Sequence, residues 1–330
     1  MKLLDFTDRS NPLGPSQKAR HAMRKAIRAV ATYPDEQVPY LRRLIARKEG
    51  VSPDTILFGH GISHLFHLVL QVHAPGNVAV PGPISPFVGG LIERHHARVH
   101  PLAMEMGTPA VAVDRLDRAL DEADLLLVPN PHPLTGSVVP PDALAPLINQ
   151  AEQKRKLLVF DEASIEFTTA ASPVRLVVGS PHALILRSFS LFHALAGLRI
   201  GYALGHPETL ARLAPLIEPY PVNSLAAAAA VASFRDGGYR TRTLKFLAEE
   251  KSYLKGKLAR LHLEAVDTPS NLVLVAMKER TTDWPGLLRE AGVLVSGFTS
   301  AEGLLLLSVP VRRRPQNAAF MRLLARTGKQ

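Results

Sequence analysis

Apolar and polar positions along the chain fall into two alternating rhythms. Residues 15–30, PSQKARHAMRKAIRAV, carry apolar side chains at helical spacing, with Pro15 and Ser16 marking the start. YLRRLIARKEG predicts a second helix closed by Gly50, and ISHLFHLVLQVH a third that opens straight from a glycine-rich turn. Between such segments lie short apolar runs bounded by turn residues: TILFG, NVAVPG, ARVHPL, DLLLVPN, KLLVFDEA and ALILRSFS. PDALAPLINQAEQKR predicts a helix between two of them. Apolar strands alternating with helices predict a mainly parallel sheet buried on both faces.

After residue 240 the rhythm changes. A long helix, TRTLKFLAEEKSYLKGKLARL, leads into NLVLVAM, GVLVSG and GLLLLSV, which read as a smaller α/β unit. The division expected is a large domain over 31–240 and a small domain made of 1–30 and 241–330. Polar residues gather just after the strands of the large unit, at 59–63, 130–136, 161–164 and 188–199. In open α/β sheets ligands bind outside the carboxyl ends of the strands, so these turns define a candidate pocket.

Composition narrows the classes. A chain of 330 residues has ample length for a buried core. The net charge of +10 raises the question of a nucleic-acid partner, but the basic residues are scattered. The densest run, Arg312 to Arg314, has no interleaved aromatics, so a solvated basic surface and no nucleic-acid partner are expected. The absence of cysteine excludes disulfides, thiolate metal sites and a cysteine nucleophile, and fits a cytoplasmic setting. MKLLDFTDRSNPLGP lacks the apolar core and cleavage site of a signal peptide. SLAAAAAVASF is too short to span a bilayer and reads as a buried helix, so no membrane partner is expected. Among His60, His64, His67 and His73, the first two could share a helix face. No third ligand sits at a diagnostic spacing, so no metal is expected.

Seven short motifs carry more together than apart: NPLG at 11–14, YPD at 33–35, GHGISH at 59–64, NPHPLTG at 130–136, DEASIEF at 161–167, RSFSLFHALAGLRIGY at 187–202 and PYPVNSLAAAAA at 219–230. In this order they resemble the fold-type-I pyridoxal-phosphate (PLP) aminotransferases, most nearly the branch of histidinol-phosphate aminotransferase and threonine-phosphate decarboxylase. NPLGP and PVNSLA lean toward the decarboxylase. The resemblance implies a large, doubly wound, mainly parallel seven-stranded sheet domain plus a smaller α/β domain. It also implies a phosphate cup. Gly61, Ile62 and Ser63 match the turn whose N–H groups hold the PLP phosphate at a helix N-terminus. Ser188 and Ser190 match its hydroxyl donors, and Arg199 its arginine. Tyr33 matches a tyrosine that reaches the phosphate from a second subunit, which implies a homodimer. Asn130 belongs to the same cofactor-binding set. Asp161 matches the carboxylate that keeps the pyridine nitrogen protonated. Phe87 matches the aromatic residue that stacks on the ring.

The residues that do the chemistry depart from the pattern. Leu191 stands at the Schiff-base lysine, which anchors the cofactor and shuttles the proton. Pro133 and Ser164 stand at the two partners of the ring hydroxyl, and Leu306 at the arginine that binds substrate carboxylate. Three readings stay open. One is a pseudoenzyme that still binds a small phosphorylated ligand, with PLP or pyridoxamine phosphate (PMP) held noncovalently, acting alone as a homodimer or as partner to an active homologue. Another is an enzyme of lysine-independent mechanism, in which His193 or His132 serves as acid and base on an amino acid or phospho-amino acid. The third is a structural protein with no cofactor, in which Asp161 and Arg199 pair with each other.

Overall fold

In the computed structural model, which describes residues 3–73, 76–102, 113–277, 282–300 and 303–328, the predicted strands form two separate sheets. The strands are β1 (Leu4–Phe6), β2 (Ile56–Gly59), β3 (Asn77–Pro81), β4 (Arg98–Leu102), β5 (Leu125–Pro129), β6 (Leu157–Asp161), β7 (Ala183–Ser188), β8 (Gly201–Gly205), β9 (Glu264–Asp267), β10 (Leu272–Met277), β11 (Val293–Thr299) and β12 (Leu305–Pro310). The helices are α1 (Gln17–Ala26), α2 (Pro39–Glu49), α3 (Ile62–Val72), α4 (Pro86–Arg94), α5 (Val113–Glu122), α6 (Pro141–Gln153), α7 (Val174–Val177), α8 (Pro207–Leu213), α9 (Ser224–Phe234), α10 (Gly237–Arg260), α11 (Trp284–Glu290) and α12 (Arg314–Thr327).

The larger sheet has seven strands in the order β2-β8-β7-β6-β5-β3-β4. Its pairings are parallel except at β8, which is antiparallel to both β2 and β7. The fold is the mainly parallel, doubly wound sheet that the alternating pattern and the resemblance implied. The two-residue period of a strand divides its side chains between two cores. Leu126, Val128, Leu158, Phe160 and Ile185 pack with Leu41, Ile45, Leu147 and Ala226 from the helices on one face. Leu125, Leu127, Val159, Leu184 and Leu186 pack with Leu65, Val69, Ile92 and Leu210 on the other. Burial on both faces is why these strands read as continuous apolar runs.

The smaller sheet has the order β1-β11-β12-β10-β9. Val273, Val275, Leu307 and Val309 cover one of its faces together with Leu247, Leu254 and Leu258 of α10 and Phe320 and Leu324 of α12. β1 joins this sheet parallel to β11. Helix α1 does not. It packs along α9, and its Ala19 is fully buried in the core of the larger sheet with Ala226 and Ala229. The alanine-rich face of α9 has no long side chains to hold α1 away. Residues 7–16 therefore cross from one sheet to the other. Gly50 closes α2 in a left-handed conformation, φ +67°, the cap predicted for it. Among the described residues no helix is long and apolar enough to cross a membrane.

Candidate functional site

Strand register sets the site. Gly59 of β2 and Ser188 of β7 both lie opposite Gly201 of β8. Leu186 lies opposite Asp161, and Asp161 opposite Pro129. The four polar turns expected to form a pocket therefore leave the sheet along one edge.

The residues expected to form a phosphate cup lie at the β2, β7 and β8 end of that edge. Helix α3 begins directly after Gly61, whose φ of +81° suits glycine, and no side chain caps its N-terminus. The first N–H groups and the positive end of the helix dipole are thus left for a ligand. Arg199 sits in a left-handed turn, φ +53°, just before β8. Its Nη2 donates to Ser63 Oγ at 2.8 Å and its Nη1 to the Ala196 carbonyl at 3.2 Å. The same Nη2 lies 2.7 Å from where a Cβ on Gly61 would stand, so the guanidinium rests on the Gly61 backbone. A Cβ on Gly201 would come within 2.8 Å of Ile62 N and 3.0 Å of Arg187 O, which explains glycine there. Ser188 Oγ accepts from Ser190 N at 3.0 Å and shapes the turn that carries Ser190. The Arg199–Ser63 contact and the packing of Gly201 against Ile62 bring Gly61, Ile62, Ser63 and Arg199 together, with Ser188 opposite Gly201 and Ser190 on the turn that follows. A guanidinium, hydroxyls and helix N-terminal amides are the donor types that suit a dianion.

Asp161 and Asn130 stand farther along the edge. Asn130 is buried. Its N–H donates to Asp161 O at 2.8 Å and its Oδ1 accepts from Val139 N at 3.0 Å. Its Nδ2 is buried with no partner among the described residues. Asp161 Oδ1 accepts from Ala163 N at 2.9 Å. Burial pushes the Asp161 carboxyl up, opposed by that N–H and by the charge of Arg9. Asp161 and Arg199 do not pair; Arg199 is engaged with Ser63. The cation beside Asp161 is Arg9, whose Nη1 donates to the Pro133 carbonyl at 2.9 Å. Sequence reasoning missed Arg9. Its only signal was a position two residues before the NPLG motif, which is legible for its turn residues and not for its charge.

Both histidines offered as acid and base are buried, and the Nδ1 of His193 has no hydrogen-bond partner among the described residues. His132 is buried, with Nε2 at 3.2 Å from the Pro81 carbonyl and Nδ1 facing Leu134 N at 3.3 Å and Thr135 N at 3.2 Å. Burial pushes its pKa down to about 4, with the Arg9 charge acting in the same direction. It is a neutral imidazole that shapes its own turn. His193 lies beyond Phe189, which belongs to the sheet face opposite Ser188. It stacks on Phe189 with ring centroids 5.0 Å apart, and its Nε2 is 3.7 Å from Glu166 Oε1. Burial alone would raise the Glu166 carboxyl, but His193, with Arg187 and Lys48 further away, brings it below its ordinary value. The same face holds a buried ion network. Arg187 Nε donates to Glu162 at 2.9 Å, its Nη1 to Glu49 at 2.8 Å and its Nη2 to Ser172 at 2.9 Å.

The remaining expected positions are scattered. Leu191 packs against the core of the smaller sheet, and Leu306 is buried with Leu272, Leu274 and Ala276 on that sheet's other face. Ser164 is buried, and Phe87 is 59% exposed at the start of α4. Tyr33 is 84% exposed and stacks on Tyr220 with centroids 5.0 Å apart. His60 and His64 are joined by a backbone-to-ring contact, and His67 meets His95 at 2.8 Å. Among the described residues no group of three or more side chains could hold a metal ion.

The sequence profile of aminotransferase class I and II matches residues 2–312. Histidinol-phosphate aminotransferase of Symbiobacterium thermophilum is 33% identical over 98% of this chain and 90% of its own length. Histidinol-phosphate aminotransferase 1 of Thiobacillus denitrificans is 31% identical over 97% of this chain and 84% of its own. The crystal structure of histidinol-phosphate aminotransferase from Sinorhizobium meliloti in complex with PLP superposes with a TM-score of 0.88 at 21% identity, covering 99% of this chain and 92% of that one. The chain belongs to the class I and II aminotransferase family.

Proposed function

We propose that this member of the aminotransferase family binds a phosphorylated ligand, PLP or PMP, noncovalently and does not carry out lysine-dependent transamination. The observation that carries the reading is the Arg199–Ser63 contact at the N-terminus of α3, in a chain with leucine at position 191.

The residues present fit part of the cofactor. Gly61, Ile62, Ser63, Ser188, Ser190 and Arg199 suit its phosphate, and the open oxygen of Asp161 suits a ring N–H. On the side of the ring hydroxyl and aldehyde, Leu191, Pro133 and Ser164 offer neither an amine nor a long hydroxyl. When bound, the group supplies an electron-withdrawing ring. With the group bound, Asp161 would hold a proton at the ring nitrogen, and Gly61, Ile62, Ser63, Ser188, Ser190 and Arg199 would hold its phosphate. No side chain at position 191 can bond the carbonyl carbon or carry a proton to substrate. The ring nitrogens of His132 face backbone groups, and His193 stacks on Phe189 with its Nε2 3.7 Å from Glu166. The exposed Tyr33–Tyr220 pair supports a second copy of the chain over this face, which sedimentation at rising concentration would read as a dimer.

The experiment is addition of PLP to purified protein, with visible absorption read before and after borohydride treatment and gel filtration. A bound, removable chromophore with no added mass on the chain is expected. Mass fixed by borohydride would refute noncovalent binding, and absence of any PLP or PMP heat in calorimetry would refute the ligand.

A further inference from the structure

Lys251 and Lys255 stand one turn apart on α10 and reach the same carboxylate, Asp267 at the end of β9. Lys251 Nζ donates to Asp267 Oδ1 at 3.1 Å and to the Thr268 carbonyl. Lys255 Nζ donates to Asp267 Oδ2 at 2.7 Å. Asp267 Oδ1 also accepts from Thr268 N at 2.9 Å. Two ammonium groups thus share one carboxylate, and one positive charge is left over. An ammonium has three donors. Lys251 keeps one of them, and Lys255 two, without a protein partner among the described residues. The Lys251 side chain is only 12% exposed. Burial pulls its pKa below the ordinary value, against the charge of Asp267.

These groups line a cavity of about 390 Å³ between α10 and the turn that joins β9 to β10. That volume lies within the range of small-molecule sites, about 300–1,000 Å³. Phe167, Leu244, Leu247 and Pro269 supply its apolar wall. Phe167 and Leu247 belong to the core of the smaller sheet, and the Phe167 ring is backed edge-on by Phe192 with centroids 5.1 Å apart. The wall is therefore anchored from behind. No residue of the phosphate cup lines this cavity, and neither do Asn130 and Asp161. It is a second compartment, apolar along one side and carrying an uncompensated ammonium charge on another.

We propose that the cavity beside α10 is a second ligand site, which takes a small carboxylic acid with an apolar body. The ligand carboxylate accepts from the open donors of Lys251 and Lys255, and its body lies against Phe167, Leu247 and Pro269. Two separate ammonium groups suit the two oxygens of a carboxylate as point charges. Desolvation of the apolar body adds to the charge contact. The bound acid ties α10 to the β9–β10 turn and stabilises the folded chain by mass action. None of this uses a cup or ring residue, so the site stands whether or not the phosphorylated ligand of the proposed function binds.

Calorimetry with 3-phenylpropionate as probe tests this on the full-length protein, with excess inorganic phosphate present to occupy the cup. Wild type should bind the probe with a Kd of about 1 mM or tighter. The uncharged 3-phenylpropionamide, of the same shape, should bind about tenfold or more weakly, the usual scale of a lost charge-assisted contact. Lys255→Met should weaken the probe about two- to fivefold, as befits a half-exposed charge. Asp267→Asn keeps an acceptor for Thr268 N but removes the competing anion, and should tighten the probe by a similar factor. Ala248→Trp places a large ring in the cavity from an exposed position of α10 and should abolish binding while the thermal midpoint of the unliganded protein stays close to wild type. Residues that serve only the fold predict no such opposite changes at Lys255 and Asp267. Wild type that takes up no probe at about 10 mM overturns the site. Probe affinity equal to wild type in both Ala248→Trp and Lys255→Met places binding elsewhere and overturns it as well.

Discussion

Arg199 is the residue whose removal separates a ligand grip from an inherited turn. Its Nη2 is bonded to Ser63 Oγ at 2.8 Å, which turns the serine oxygen into an acceptor and frees its hydrogen for an anion. A phosphate in the cup would draw on both the guanidinium and that hydroxyl. Hydrogen bonds to charged groups contribute about 1.5–3 kcal/mol each, so truncating the arginine should weaken a phosphate ligand by ~10- to 150-fold, at ~1.4 kcal/mol per decade. The helix amides remain, and the dipole term of ~0.3–1 kcal/mol keeps residual binding measurable. Arg199→Ala and Arg199→Lys should be compared with each other, because both keep a side chain at the strained φ of +53°. The lysine restores charge without the planar fork and should fall between alanine and wild type. The assay is calorimetric titration of PLP and of inorganic phosphate at fixed ionic strength, since exposed charges are screened within about 10 Å at 0.1 M salt. Affinities unchanged within twofold in Arg199→Ala would refute the cup.

Other predictions follow from the same geometry. The folded pKa of His132, about 4, lies below the ordinary 6.5, so the fold favours the neutral ring. That contribution is complete above pH 6.5 and is lost as pH falls toward 4, at ~1.4 kcal/mol per pH unit. Urea midpoints should therefore drop between pH 7 and pH 5 by an amount equivalent to ~2 kcal/mol, and His132→Asn should flatten the drop. Gly201→Ala places a Cβ against the backbone of Ile62 and Arg187 and should lower stability by ~1–3 kcal/mol while weakening phosphate binding; calorimetry and thermal melting read both. Arg187→Met strands Glu162 and Glu49 in the interior and should lower stability by ~3–5 kcal/mol without changing phosphate affinity, because the network faces away from the cup.

The fold was largely legible because its strands are buried on both faces. β5 is apolar from end to end and β7 opens on four apolar residues, Ala183 to Leu186. β8 was hidden because it opens with Gly201-Tyr202 inside a motif read for its serines and arginine. The three-residue β1 is too short to show a period. The cup was legible because its members are local: a glycine turn before a helix, and two serines and an arginine within one segment. The surroundings of His132 and His193 were not legible, because proximity in sequence to a functional turn does not say which side of the sheet a ring occupies. Along β7 the alternation is decisive. Ser188 faces the ligand edge, whereas Arg187 and Phe189 face the other way and take His193 with them. Arg9 was invisible for the opposite reason. It reaches the site from more than a hundred residues away in sequence, through a strap whose path only the tertiary structure defines.

The contrast between an intact cup and a dismantled ring site has a physical basis that bears on how it is read. The cup is made of parts the fold also needs. Gly61 and Gly201 permit the close crossing of β8 over the start of α3, and Arg199 ties the loop before β8 to Ser63. Such residues serve the stability of the fold as well as a ligand. Leu191, Pro133, Ser164 and Leu306 occupy positions where the fold accepts an apolar or small side chain, and two of them pack into existing clusters. The residues that fold stability does not account for are Asp161 and Arg9. A half-buried carboxylate is kept near a guanidinium without a direct ion pair, and the guanidinium leaves two of its nitrogens unused. Opposite charges serving only the fold would gain most by direct contact. Asp161 and Arg9 are instead engaged separately, by the Ala163 N–H and by the Pro133 carbonyl.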